Sequence, residues 1–238
     1  MNKTTITIID ELLEEFKLLA DKEQAIHLMH FFKTGEGQYG EGDLFLGIKV
    51  PVTRAMAKKY YSEISLDEID ELIKNPYHEI RLLAILIMVF IYEKTNLKRE
   101  IFELYLKNVQ YINNWDLVDL SAPKIIGNYS FENKNSDAIY KLANTNHLWS
   151  NRISVISTLY LIKKGDFSLI LEFSEKFLAH KHDLMQKAVG WMLREMGKVE
   201  EKPLCLFLDK YHKIMPRTML RYSIERLDKE QKAKYMKK

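Results

Sequence analysis

The sequence predicts an all-α chain assembled from stacked helix pairs, and three observations carry that prediction. The 238 residues contain only 9 Gly and 5 Pro, too few breakers for a sandwich or barrel but enough for long helices with short connections. Apolar residues recur at helical spacing along most of the chain. The starts of the apolar helices also return at a period of about 35 residues.

Element by element, Ile9–Ala20 places Ile9, Leu12, Leu13, Phe16 and Leu19 on one face and Glu11, Glu14, Glu15 and Lys17 on the other, the pattern of an amphipathic helix. A second helix is expected over Ala25–Phe32. The segment Gly35–Gly42 then collects four of the nine glycines and reads as a long loop that closes over a groove edge, with Tyr39 as its contact. It lacks the Gly-Lys-Ser/Thr ending of a phosphate-binding loop, which argues against a nucleotide cradle. Pro51 opens a helix to Tyr61, at a position where the missing N–H costs nothing. Ser65-Leu66-Asp67-Glu68 is a capping box for a helix over Asp67–Lys74. Leu82–Tyr92 is a buried helix, well short of the roughly 20 apolar residues a membrane span needs.

From there a theme repeats. Asn75-Pro76-Tyr77-His78-Glu79-Ile80-Arg81, Asn146 to Arg152, His182 to Lys187 and Met215 to Arg221 each lead into an apolar helix with a basic residue just inside it. Arg81, Arg152, Lys187 and Arg221 are separated by 71, 35 and 34 residues, so one repeat is missing near residue 116. Asn113-Asn114-Trp115-Asp116-Leu117-Val118-Asp119 stands there and also reads as a helix start. Repeats beginning near residues 44, 75, 113, 146, 181 and 215 make residues 1–238 one HEAT-like repeat domain, in which each helix pair buries its apolar face on its neighbours.

Composition narrows the function. With 47% apolar and 29% charged residues the chain is neither disordered nor a membrane protein. No cationic-then-apolar segment opens it, which makes a cytoplasmic location the expectation. Cys205 is the only cysteine, so neither a disulfide scaffold nor a thiolate zinc site is available. The His27/His30 and His180/His182 pairs have no His-Glu-x-x-His or Cys partners and read as surface or capping residues, with no metal. Residues 181–238 carry 15 Lys and Arg against 8 Asp and Glu, while residues 1–180 carry 21 against 25. A basic C-terminal quarter suits a polyanion, although Lys229–Lys238 alternatively reads as a solvated tail.

The candidate site residues come from shared helix faces. Trp115 and Asp119 are spaced i, i+4; Trp149 and Arg152 i, i+3; Lys187, Trp191 and Arg194 i, i+4, i+7. Stacked repeats would then form a groove lined by aromatic rings, Arg and Lys, suited to a nucleic-acid backbone. Asp116 has an ordinary explanation in the first turn of a helix. Asp119 does not, because a carboxylate in such a groove repels phosphate. It is useful if it meets a cation that the substrate carries or develops, such as an oxocarbenium-like sugar. An alkylated purine with a formal positive charge leaves without a general acid, so one carboxylate suffices.

The segments Trp115–Asp119, Leu148–Arg152 and Gln186–Glu195, in that order and spacing, together with Phe45–Pro51, resemble the AlkD family of bacterial DNA alkylation-repair glycosylases. The resemblance spans residues 25 to 225. It implies a right-handed α-solenoid of HEAT-like repeats whose concave face holds double-stranded DNA, acting as a monomer without metal or cofactor and excising positively charged N3- or N7-alkylated purines. Residue by residue, it implies Asp119 as the catalytic carboxylate, Trp115 and Trp191 as walls against the lesion's deoxyribose, and Arg152, Arg194, Lys187, Tyr39 and Lys49 as DNA contacts. The Gly35–Gly42 loop, Lys49 and Tyr160 depart from the family pattern. Two other readings remain open at this point: a non-catalytic HEAT-like nucleic-acid binder in which Asp119 is structural, and a protein-interaction solenoid in which the tryptophans are core.

Overall fold

A computed structural model describes residues 7–237. Among the described residues there is no strand, only one isolated bridge between Leu44 and Tyr77, and no helix is long and apolar enough to cross a membrane. The chain divides into two compact units, one ending at Ser121 and one beginning at Ala122.

The first unit contains α1 (Ile8–Lys17), α2 (Lys22–Phe31), α3 (Val50–Tyr60), α4 (Leu66–Leu72), α5 (His78–Lys94), α6 (Lys98–Lys107) and α7 (Trp115–Ser121). Local chemistry sets their starts. Thr7 and Asp10 form a capping box on α1, Ser65 and Glu68 form the expected one on α4, and Pro51 sits in the first turn of α3. α5 is apolar on every side, so it can only be stable as a central helix. It is buried from His78 to Val89, and α3, α4, α6 and α7 surround it. α1 is tied to α3 through Glu15, which accepts from Tyr60 Oη and pairs with Lys59, both at 2.6 Å.

The second unit is organised in the same way around α10 (Leu148–Lys163), flanked by α8 (Asn128–Glu132), α9 (Asp137–Ala143), α11 (Ser168–Lys176) and α12 (Asp183–Val199). Its buried Ser154, Ser157 and Thr158 return their hydroxyl protons to helix carbonyls at 2.6–2.7 Å, so these three hydroxyls sit in the core with their donors met. Pro123 has no N–H, and the chain widens into a π-turn over Pro123–Gly127, where Gly127 N–H reaches the Ala122 carbonyl at 2.9 Å. α12 packs on α13 (Glu201–Tyr211) and α14 (Arg217–Ser223), and α15 (Lys229–Met236) closes the unit.

The starts of α5, α7, α10, α12 and α14 are spaced by 37, 33, 35 and 34 residues, matching the period read from the sequence. Two details differ from the sequence reading. Trp149 is 5% exposed and belongs to the core of the second unit, because the neighbouring helices cover α10 on all faces from Trp149 to Thr158 rather than leaving one face open. The basic C-terminal segment is not a solvated tail: Asp228 and Gln231 cap α15, and Tyr235 is buried with its hydroxyl at 3.1 Å from Asp209. Lys238 lies outside the described residues.

Gly190 is the tightest point between α12 and α14, where an added Cβ would stand 2.5 Å from the Met219 carbonyl and 2.6 Å from Tyr222 Cβ. Gly190→Ala is expected to destabilise the fold by about 1–3 kcal/mol through overpacking, read from the urea midpoint; an unchanged midpoint would remove the constraint.

Candidate active site and nucleic-acid interface

In the first unit the site is built from α7 and the loop after α2. Asn114 opens α7 by accepting the Trp115 N–H at 2.9 Å. The first turn turns inward at Asp116, Leu117 and Val118, which are buried, and leaves Trp115 and Asp119 half-buried one turn apart. Trp115 is held by rings: its indole stacks on Phe32 at 5.3 Å and 21°, and meets the exposed Phe31 edge-on at 5.9 Å. Phe32 stacks in turn on Phe45 at 5.2 Å. A rigid aromatic floor thus fixes the Trp115 face. Asp119 lies within electrostatic reach of the buried Tyr105 hydroxyl, whose pKa is raised first by burial and further by the Asp119 charge; Tyr105 Oη also pairs with Ser121 Oγ at 2.9 Å.

Beneath Trp115 lies a buried charge cluster that sequence reading did not anticipate. His78, the first residue of α5, faces Asp116 through Nε2 at 2.8 Å and Asp43 through Nδ1 at 3.4 Å. Arg81 pairs with Asp43 at 2.7 Å, and the Asn113 and Asn114 amides also donate to Asp43. Phe32 and Phe45 lie 4.8 Å from the imidazole. Burial alone would push the His78 pKa down, but Asp116 and Asp43 outweigh it and raise it to about 9. Burial pushes Asp43 up, and its bonds to His78, Arg81 and Asn113 more than reverse that, holding it below the usual carboxylate range. Asp116 therefore does more than complement a helix dipole. Glu79 next door accepts the Leu46, Gly47 and Ile48 amides at 2.8–3.2 Å, which anchors the Phe45–Pro51 segment to α5.

The other expected contacts of this unit are placed as follows. Tyr39 is half-buried, its hydroxyl 3.5 Å from the Phe31 carbonyl. Lys49 is exposed at the N-terminus of α3. In the glycine-rich loop the Gly35 and Gly37 amides already donate to Gln38 and Glu41, so the loop folds on itself and presents no cradle for phosphate.

In the second unit, α12 brings Lys187, Trp191 and Arg194 onto one helix, all half-buried. Each has a local partner: Lys187 pairs with Asp183 at 2.6 Å, the Trp191 indole N–H donates to Glu195 at 3.0 Å, and Arg194 pairs with Glu225 and more distantly with Glu195 at 3.4 Å. Arg152 is 4% exposed and donates to the Leu184 carbonyl at 2.5 Å, a bond that ties α10 to the first turn of α12. His147 and His182 cap α10 and α12 by accepting backbone N–H groups, the capping use of histidine expected from the sequence for His182.

Among the described residues the first unit thus presents an indole and a carboxylate on one short helix, and the second an indole with a lysine and an arginine on another. The chain belongs to the DNA alkylation repair enzyme family, whose model matches residues 12–227. None of the curated proteins compared with it matches. Among solved structures it is similar to one described as a "predicted DNA alkylation repair enzyme from Enterococcus faecalis", with a TM-score of 0.71 at 18% identity over 88% of this chain and 97% of that one, a likeness of fold.

The charge cluster makes stability depend on pH with a definite sign. The His78 contribution is complete below its unfolded pKa near 6.5 and is lost as pH rises through about 9. Urea unfolding is expected to lose on the order of 3 kcal/mol over that interval, and His78→Gln should flatten the loss; a wild-type stability that stays level from pH 6.5 to 9.5 would contradict the pairing.

Proposed function

We propose that the chain is a monofunctional DNA glycosylase that releases positively charged N3- or N7-alkylated purines from double-stranded DNA by hydrolysis of the N-glycosidic bond. The observation that carries the reading, beside family membership, is the Trp115–Asp119 face of α7: a carboxylate left half-open one turn from an indole whose plane is fixed by stacked rings.

The chemistry follows from charge. When the bond from C1′ to the alkylated nitrogen breaks, its electron pair neutralises the cationic base, so no acid need protonate the leaving group. Positive charge then develops on C1′ and the ring oxygen of the deoxyribose. Asp119 offsets that charge where it forms and aligns the attacking water, which adds to C1′ and loses its proton to the carboxylate or solvent. The Trp115 face adds about 0.5–2 kcal/mol of cation–π attraction toward the same cation. Trp191 serves as the second aromatic wall, and Lys187, Arg194, Lys49, Tyr39 and the small exposed part of Arg152 contact the DNA backbone. In this proposal the two units are successive parts of a right-handed HEAT-like solenoid acting as a monomer, and no cofactor takes part.

The pairing of Lys187 and Arg194 with carboxylates fits a backbone-binding surface in which phosphate displaces Asp183 and Glu225, with an affinity that falls as salt rises because counterions must be released from the DNA.

The experiment is release of methylated purines from alkylated duplex DNA by wild type and Asp119→Asn, alongside DNA affinity. Wild-type release, with loss of about 10²–10³-fold in kcat in the variant and near-equal DNA binding, is expected. DNA binding without release by wild type would favour a non-catalytic groove, and equal release by both proteins would take Asp119 out of the chemistry.

A further inference from the structure

We propose that His78 is a positioning residue for this reaction: clamped between Asp43 and Asp116 and stacked against Phe32 and Phe45, it sets the seat of Trp115 and the rotation of α7, and through them the aim of the Asp119 carboxylate. The inference rests on the glycosylase reading and adds a buried residue that the reading leaves unused.

Two separate routes lead from the imidazole to the Trp115–Asp119 face. The first is polar. His78 Nε2 holds Asp116 Oδ2 at 2.8 Å, and the other oxygen of Asp116 accepts the Leu117 N–H at 2.9 Å. Asp116 stands between Trp115 and Asp119 on α7, so this bond fixes which way the helix is turned. The second is aromatic. The imidazole lies 4.8 Å from both Phe32 and Phe45, and Phe32 carries the Trp115 indole on its own face at 5.3 Å. A change at His78 therefore reaches the candidate carboxylate and its aromatic wall together.

The protonation state decides whether both routes hold. The charged groups facing the imidazole are Asp116 from α7, Asp43 from the loop after α2, and Arg81 from the next turn of α5, with Asn113 and Asn114 completing the ring around Asp43. Two carboxylates against one guanidinium and one imidazolium balance to zero. Neutral imidazole carries a single N–H, so losing the proton leaves one carboxylate facing a lone pair and the buried cluster with a net negative charge. An uncompensated buried charge is costly, and the relief open to Asp116 is to turn toward solvent, carrying the start of α7 with it. Asp119 itself makes no bond to His78 in this scheme; the effect is on geometry.

The test is the pH dependence of kcat and KM for alkylpurine release from duplex DNA in wild type and His78→Gln, with spontaneous release subtracted, beside an NMR titration of the His78 imidazole and the Trp115 indole N–H. Expected is a wild-type kcat that falls on the alkaline side with the midpoint measured for His78, with KM nearly constant. The Trp115 indole should follow the same titration. His78→Gln should lose about 10–100-fold in kcat at neutral pH, the scale of a misplaced catalytic group, and should lose the alkaline fall as well. A fall that persists in His78→Gln, or wild-type kcat that is level through the His78 midpoint, would overturn the proposal. Should the variant fail to fold, the wild-type Trp115 indole decides: a resonance blind to the His78 titration overturns the coupling. Absence of release at every pH from DNA that still binds is a different result, and it fails the glycosylase reading.

Discussion

The interaction on which the first unit depends is a buried imidazole held between two carboxylates. Charged groups leave water at a cost of several kcal/mol each and are tolerated only when each finds its partner. Here the partners come from the loop after α2, from the start of α5 and from α7, three segments far apart in sequence that must arrive together for any to be satisfied. The cluster thus selects one arrangement of those segments, where apolar packing alone would accept several. Glu79 extends the same logic by collecting three amides of the Leu46–Ile48 turn. On top of this polar base lie Phe45, Phe32 and Trp115, face on face. The aromatic wall of the candidate site is accordingly the upper surface of a structure whose lower surface is ionic.

The second unit shows the opposite economy. The buried Ser154, Ser157 and Thr158 hydroxyls of its central helix are closed within the helix itself, and Lys187, Arg194, Lys198 and Lys234 each stand beside a carboxylate. The excess of 15 basic over 8 acidic residues in the C-terminal quarter does not make an open positive strip, because Asp183, Glu195, Glu225 and Asp209 are distributed among the lysines and arginines.

Much of the helical frame was legible in the sequence because its signals are local. The Ser65–Glu68 box, Pro51 and the recurring starts near residues 78, 115, 148, 183 and 217 each act over a few residues. The Trp115–Asp119 face was legible for the same reason, since four residues of helix bring the two side chains to one side. The His78 cluster was not, because its bonds join residues 35 and 38 positions apart. One local sign existed: His78, Glu79 and Arg81 stand together at the head of a helix otherwise apolar on every face, and charges there must be paired when the helix is buried. Trp149 and Arg152 show the limit in the other direction. Spacing put them on a common face, but spacing does not reveal how completely a helix is surrounded, and α10 is buried on every side from Trp149 to Thr158. For the C-terminal segment, composition left a solvated tail open as an alternative, and a single buried side chain, Tyr235, decides against it.

The central claim is that packing alone does not hold the Trp115–Asp119 face in place, and that the ionic cluster beneath the aromatic stack is needed as well. Amide hydrogen exchange of α7 in wild type and Asp116→Asn at neutral pH tests it most directly, since the substitution keeps shape and removes the charge that His78 faces. The account predicts that protection falls selectively over residues 115–121 while α10 and α12 keep theirs. Equal protection of α7 in the two proteins would show that packing alone fixes the helix and would contradict the claim.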